Sequence, residues 1–156
     1  MQGTEERKVH SYTEIWRDIG KAYKIMYKGM DTLFQQNGSN VLEYRILRVL
    51  SEEGQKTMAT LAEMNFVTQA WITGLVDKLE DKEHVKRIRS NKDRRVIYVE
   101  ITKKGGIILE EMKKIHDDFL KELLAFVSEE EAGQIEIFVR NFRKSLEAKL
   151  TTSENK

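Results

Sequence analysis

Five side chains between residues 68 and 73, and four arginines or lysines between 89 and 95, are of types that read a double helix. In the first set, Gln69 can pair in bidentate fashion with adenine, Thr68 and Thr73 can serve bases or phosphates, and Ala70 fits against a thymine methyl. Trp71 has two readings, a groove contact or packing under a neighbouring hairpin. In the second set, Arg94 and Arg95 carry the guanidinium groups that a narrow minor groove attracts. Arg89 and Lys92 stand beside them. Asp93 would repel phosphate, so its better use is to hold an arginine fork in a defined pose through a charge-assisted pair. Lys56, Thr57 and Met58 form a third group, at a predicted helix start whose free amides and dipole favour an anion.

These groups need particular elements to position them. Tyr12, Trp16, Ile19, Tyr23, Met26, Met30 and Leu33 step by 4 and 3 in turn, the period of a long helix with one apolar stripe. Asn37-Gly38-Ser39-Asn40 supplies turn chemistry before a second helix from Val41 to Glu53, which Gly54 ends. Thr57 caps a short helix with Met58, Leu61, Ala62 and Met64 inward, and Thr68 caps another from Gln69 to about Lys82. Two short helices joined by Asn65-Phe66-Val67 make a helix-turn-helix. The period then changes to 2: Val85–Arg89 and Val96–Ile101 alternate as two strands around a polar loop. A lone hairpin is marginal in water, so this one must pack on the helices as a wing.

Thr102 is the predicted cap of the next helix, whose stripe of Ile108, Met112, Ile115, Phe119 and Leu123 runs to about Val127. Ser128 and Glu131 have the spacing of a capping box. The last helix is expected to bury Ile135, Phe138, Phe142 and Leu146, with Thr151–Lys156 as a frayed tail. The fold class is therefore mainly α with a small β-hairpin wing (α+β). One domain is expected over 1–156: a winged helix-turn-helix at 41–101, flanked by dimerisation helices at 11–37 and 102–150. The terminal stripes are wider than so small a central module can cover, which suggests that two chains interlock through them.

Composition narrows the chemistry. The 156 residues include no cysteine, which excludes disulfides, thiolate zinc sites and thiol nucleophiles. His10, His84 and His116 lack metal-ligand spacing, and no cofactor is expected. No apolar run is long enough to span a membrane and no secretory leader opens the chain, so the expected location is cytoplasmic. Net charge is only +1, but residues 84–104 hold eight basic side chains against two acidic ones, a local +6 that leaves −5 elsewhere. A basic stretch on an otherwise acidic chain is the footprint of a nucleic-acid contact. No nucleophile elbow, metalloprotease helix or phosphate-binding loop occurs, which argues against an enzyme.

The ensemble Leu61-Ala62, Val67-Thr68-Gln69, Ile72-Thr73, Val76-Asp77-Lys78-Leu79-Glu80, Val85, Arg87, Asp93-Arg94-Arg95 and Ile101-Thr102-Lys103-Lys104-Gly105 resembles the multiple-antibiotic-resistance regulator (MarR) family. The resemblance implies a homodimeric repressor or activator on pseudo-palindromic promoter sites in double-stranded DNA. It also implies a wing whose aspartate–arginine pair, here Asp93 with Arg94 or Arg95, binds DNA. Many members are released by small aromatic or phenolic acids held between the dimerisation helices and the winged helix. Here Lys21 and Lys24 can pair a carboxylate, while Tyr23, Tyr27 and Tyr44 can supply aromatic walls. Core packing for Tyr23 and a solvated face for the lysines are the alternatives. Two positions depart from the family: Glu83 stands where glycine is common, and Gly106 adds a second glycine after Gly105. A winged helix used for protein contacts within a transcription or chromatin assembly is the rival class, against which the arginine tip and the Thr-Gln helix start both argue.

Overall fold

The 4-and-3 stepping of the first apolar residues becomes α1, Tyr12–Gln36, in the computed structural model, which describes residues 11–90, 93 and 95–154. Then come α2 (Val41–Glu53), β1 (Lys56–Thr57), α3 (Met58–Asn65), α4 (Gln69–Asp81), β2 (Val85–Arg89), β3 (Ile97–Ile101), α5 (Lys103–Leu123) and α6 (Glu129–Glu154). The chain divides into two compact units, one through His116 and one from Asp117 onward. No helix of the described residues is long and apolar enough to cross a membrane.

In the first unit, Phe34, Ile46, Leu47, Leu61, Ile72, Val76, Leu79, Val85, Val99 and Leu109 form the core. Helices α3 and α4 begin on threonine caps: Thr57 Oγ1 accepts from the Thr60 amide at 3.1 Å, and Thr68 Oγ1 from the Trp71 amide at 3.3 Å. The sheet has three strands, ordered β1-β3-β2 and antiparallel throughout, rather than the two of a simple hairpin. Strand β1 is too short to show a period, yet Lys56 pairs with Val99 and Thr57 with Tyr98. This third strand ties the start of the helix-turn-helix to the wing.

Where α4 hands over to β2 the backbone is tightly packed. Glu83 keeps the left-handed conformation (φ 61°) that glycine would adopt freely. Its carboxylate lies 2.9 Å from the Lys104 ammonium in an exposed pair. That hydrogen bond and the lysine's charge hold the carboxyl below its ordinary range. The Thr102 hydroxyl donates to the Glu83 carbonyl at 2.7 Å and accepts the Gly105 amide at 3.0 Å, so it caps α5 as expected. Gly105 lies so close to this turn that a Cβ would meet the His84 carbonyl oxygen at 2.0 Å. Gly106 does not loosen the helix: its amide donates to the Thr102 carbonyl at 2.9 Å.

His84 sits in this junction with Nδ1 buried and unpartnered among the described residues. Burial first, then the charges of Lys82 and Lys104, push its pKa below 6.5, against the opposing pull of Glu43. The folded chain thus prefers the neutral ring, and the unfolded chain takes up the proton first as pH falls through 6.5. The His84 contribution is full above that pH and lost below it. Urea midpoints are expected to fall between about pH 7.5 and about pH 5.5, and His84→Gln is expected to flatten that decline.

Three expectations need correction. Helix α5 stops at Leu123 rather than near Val127, because residues 124–127 form the turn that delivers Ser128 to its capping box. In that box the Glu131 carboxylate accepts the Ser128 amide at 2.9 Å. Residues 151–154 continue α6 instead of fraying at Thr151, since neither proline nor glycine follows Gly133 in a helix that is already nucleated. Nor does α6 bury its stripe: Ile135, Phe138 and Leu146 are 51%, 52% and 43% exposed. The N-terminal half of the α1 stripe (Tyr12, Trp16, Ile19 and Tyr23) is exposed as well, a surplus of apolar surface of the kind the sequence implied, while Met30 and Phe34 at its other end are buried.

Candidate nucleic-acid interface

The first turns of α4 present Gln69, Ala70, Trp71 and Thr73 to solvent. Trp71 is 62% exposed and is not enclosed by the described part of the wing. The Thr68 hydroxyl is engaged by its cap, and Thr73 donates to the Gln69 carbonyl at 2.9 Å, leaving oxygen lone pairs to accept. Gln69 is accordingly the most versatile hydrogen-bonding side chain of this surface. At the start of α3, Lys56 is 3.0 Å from Glu53 and Thr57 is bonded to Thr60, so both are already engaged within the fold.

Helix α4 is held at its far end by a buried carboxylate. Glu43, 4% exposed, accepts from Ser39 Oγ at 2.9 Å, Asn40 Nδ2 at 3.1 Å and Lys82 Nζ at 3.0 Å. Lys82 also donates to the Gly38 carbonyl at 3.0 Å, which locks the end of α4 to the α1–α2 turn. Three donors on one buried carboxylate satisfy most of its lone pairs.

The structure redistributes the basic stretch. Arg87 forks between Asp77 (2.6 Å) and Glu80 (2.5 Å) on α4, Lys86 pairs with Glu100 (3.1 Å), and Lys104 with Glu83. Three of the eight cations are thus neutralised internally, and Arg87 braces the wing against α4 instead of offering a free charge. Arg89 and Arg95 are exposed at and near the wing tip. Lys92 and Arg94, expected beside them, lie outside the described residues. Asp93 shapes the tip through backbone: its carboxylate accepts the Arg95 amide at 2.9 Å, and its carbonyl the Val96 amide at 3.0 Å. An Asx turn of this kind fixes the direction in which Arg95 leaves the loop.

Of the five residues expected to shape a ligand site, the structure brings only part together. A cavity of about 530 Å³ opens between α1 and α4, lined by Tyr27, Asp31, Gln35, Asn40, Leu42, Ala70, Trp71, Gly74, Leu75 and Lys78. Tyr27 belongs to it, and burial and the Asp31 charge keep its hydroxyl protonated by raising its pKa. Tyr23 is its ring neighbour at 6.1 Å but does not line the space. Tyr44 is no wall: it is 5% exposed, with its ring 5.2 Å from both Phe34 and His116. Lys21 and Lys24 are exposed outside the cavity, Lys21 at 3.6 Å from Asp18. The charged groups at the cavity are Asp31 and Lys78, which the sequence reading missed. The spacing of Tyr27, Asp31 and Gln35, each four apart on one helix face, was the signal available.

Comparison with known proteins agrees with this geometry. Residues 30–112 match the family described as Transcriptional regulator SarA/Rot. YpoP of Bacillus subtilis (strain 168), an HTH-type transcriptional regulator, is 37% identical over 103 residues, covering 65% of this chain and 73% of its own. The crystal structure of the transcriptional regulator BldR from Sulfolobus solfataricus is 34% identical with a TM-score of 0.76, covering 92% of this chain and 99% of that one. A MarR-like transcription regulator from Bacillus cereus superposes with the same TM-score of 0.76 at 25% identity, over 86% of this chain and 96% of its own.

Proposed function

Because the chain belongs to the SarA/Rot family of transcriptional regulators and is built as a MarR-type winged helix, we propose that it grips pseudo-palindromic promoter sites as a homodimer in the cytoplasm. It is a DNA-binding transcriptional regulator and not an enzyme. Residues 41–101 are the reading part, and the helices at 11–37 and 102–150 join the two copies. Gln69, Ala70, Trp71 and Thr73 face the major groove, with Thr68 holding the helix start. Arg89, Lys92, Arg94 and Arg95 reach the backbone and minor groove, posed by Asp93. Lys56 and Thr57 act at the α3 start chiefly by ordering its amides toward a phosphate.

The observation that carries this reading is the paired presentation of an exposed, polar helix start and an arginine-bearing tip, on a chain whose other wing cations are internally neutralised. The apolar residues left uncovered on α1 and α6 support the dimer, since patches of this extent mark association surfaces. The cavity beside Trp71 supports release by a small aromatic or phenolic ligand: a ring stacks with Tyr27 or Trp71, and Lys78, Gln35 and Asp31 supply donors and acceptors. Occupation there would press on α4 from behind.

The test of the dimer is a charge placed in the uncovered stripe. The double variant Ile15→Glu/Ile19→Glu, at positions 43% and 40% exposed, is expected to sediment as a monomer and to lose operator binding. A variant that remains a dimer at micromolar concentration would remove α1 from the proposed interface.

A further inference from the structure

Among the described residues, two other than glycine have positive φ, Phe66 at 55° and Glu83 at 61°. At Glu83 the side chain pairs with Lys104 and the carbonyl accepts the Thr102 hydroxyl. Among the described residues no side chain bonds to Phe66, whose turn is closed by backbone alone, the Val67 amide donating to the Ala62 carbonyl at 3.1 Å. The Phe66 amide donates to the Glu63 carbonyl at 3.1 Å, a bond that glycine would make equally well without strain. The ring is 91% exposed, so it adds almost nothing to the core while the backbone holds a left-handed conformation. Neither the turn nor the packing calls for an aromatic side chain here. An outlier of this kind points to a use outside the chain.

Its position says which use. Phe66 stands in the turn of the helix-turn-helix, two residues before Thr68, the cap of α4. Phe66 therefore adjoins the start of the recognition helix. Its neighbours Thr68, Gln69 and Ala70 are exposed and small or polar, as suits a surface laid on DNA. We infer that Phe66 is a DNA-contacting residue, its ring packing on the apolar edge of the duplex (thymine methyls and deoxyribose carbons) where the first turn of α4 enters the major groove. This rests on the DNA-binding reading above and adds a contact outside the polar set. An uncharged contact releases no counterion, so it contributes affinity independent of salt.

The test is a fluorescence-anisotropy titration of the full chain against a labelled duplex from its own upstream region, at several salt concentrations. Phe66→Gly and Phe66→Asn both accommodate a positive φ. Each is expected to raise the dissociation constant roughly tenfold, with the slope of log affinity against log salt unchanged and the melting temperature equal or higher. A merely structural Phe66 would show a lower melting temperature instead. Affinity within about twofold of wild type, or a loss of affinity accompanied by dissociation of the dimer, would overturn the inference. If the wild type binds while both variants match it, only the Phe66 contact is refuted. If the wild type binds no duplex at any salt, the DNA-binding reading is refuted and the contact with it.

Discussion

Gly105→Ala is expected to destabilise the protein by about 3 kcal/mol and lower its melting temperature by on the order of 10 °C. The added methyl would stand 2.0 Å from the His84 carbonyl oxygen, 2.9 Å from its carbon and 3.0 Å from Ile101 Cγ1. Two of those neighbours are backbone and cannot swing aside as a side chain does. The same carbonyl accepts the Thr102 amide at 3.0 Å, so moving it loosens the β3-to-α5 connection and the turn that starts the wing. DNA binding should weaken with stability, because the junction sets the wing against α4. Gly106→Ala is the control. Nothing lies within 4 Å of its Cβ position, and alanine in a helix is expected to stabilise by roughly 1 kcal/mol or less. A Gly105→Ala protein as stable as the Gly106→Ala one, by thermal denaturation, would show that the contact relaxes at no cost.

The second large effect falls on function and leaves stability alone. Arg94→Ala/Arg95→Ala is expected to weaken operator binding roughly 100-fold and to make the salt dependence shallower by about two in log–log slope. Arg95 is exposed, and the loop is shaped by Asp93 through the Arg95 amide, which alanine retains. Melting temperature and sedimentation should therefore match wild type. Measured by anisotropy over a range of salt, an unaltered affinity and slope would remove the wing tip from the interface.

The parts of this fold that were legible in the sequence are those decided by local chemistry. Thr57, Thr68, Thr102 and Ser128 each precede a helix and each caps it with a side-chain oxygen, a bond spanning only three residues. The alternation of Val85–Arg89 and Val96–Ile101 announced the wing for the same reason, with the second strand starting one residue later, at Ile97. Features set by distant partners were hidden. Two residues cannot display a strand period, so β1 emerged only from its register with β3. Arg87 finds Asp77 and Glu80 across a helix–strand junction, and no helical i, i+4 count would pair them. Tyr44 reads as an aromatic wall until Phe34 and His116 close over it. The apolar stripes on α1 and α6 were legible as surplus surface, but periodicity marks a face to be covered without saying by what. The resemblance to glycine-bearing relatives at position 83 did anticipate a left-handed turn, because that requirement belongs to the backbone whichever residue stands there.

The internal neutralisation of Lys86, Arg87 and Lys104 bears on how such a regulator searches a chromosome. Attraction to arbitrary sequence grows with the number of phosphates a protein can neutralise, and each cation withheld weakens that background grip. Occupancy of the right promoter depends on the ratio of specific to background affinity, multiplied over millions of competing positions. Tying these cations to Glu100, Asp77, Glu80 and Glu83 therefore lets the protein abandon wrong sequences quickly, with little loss at the right one.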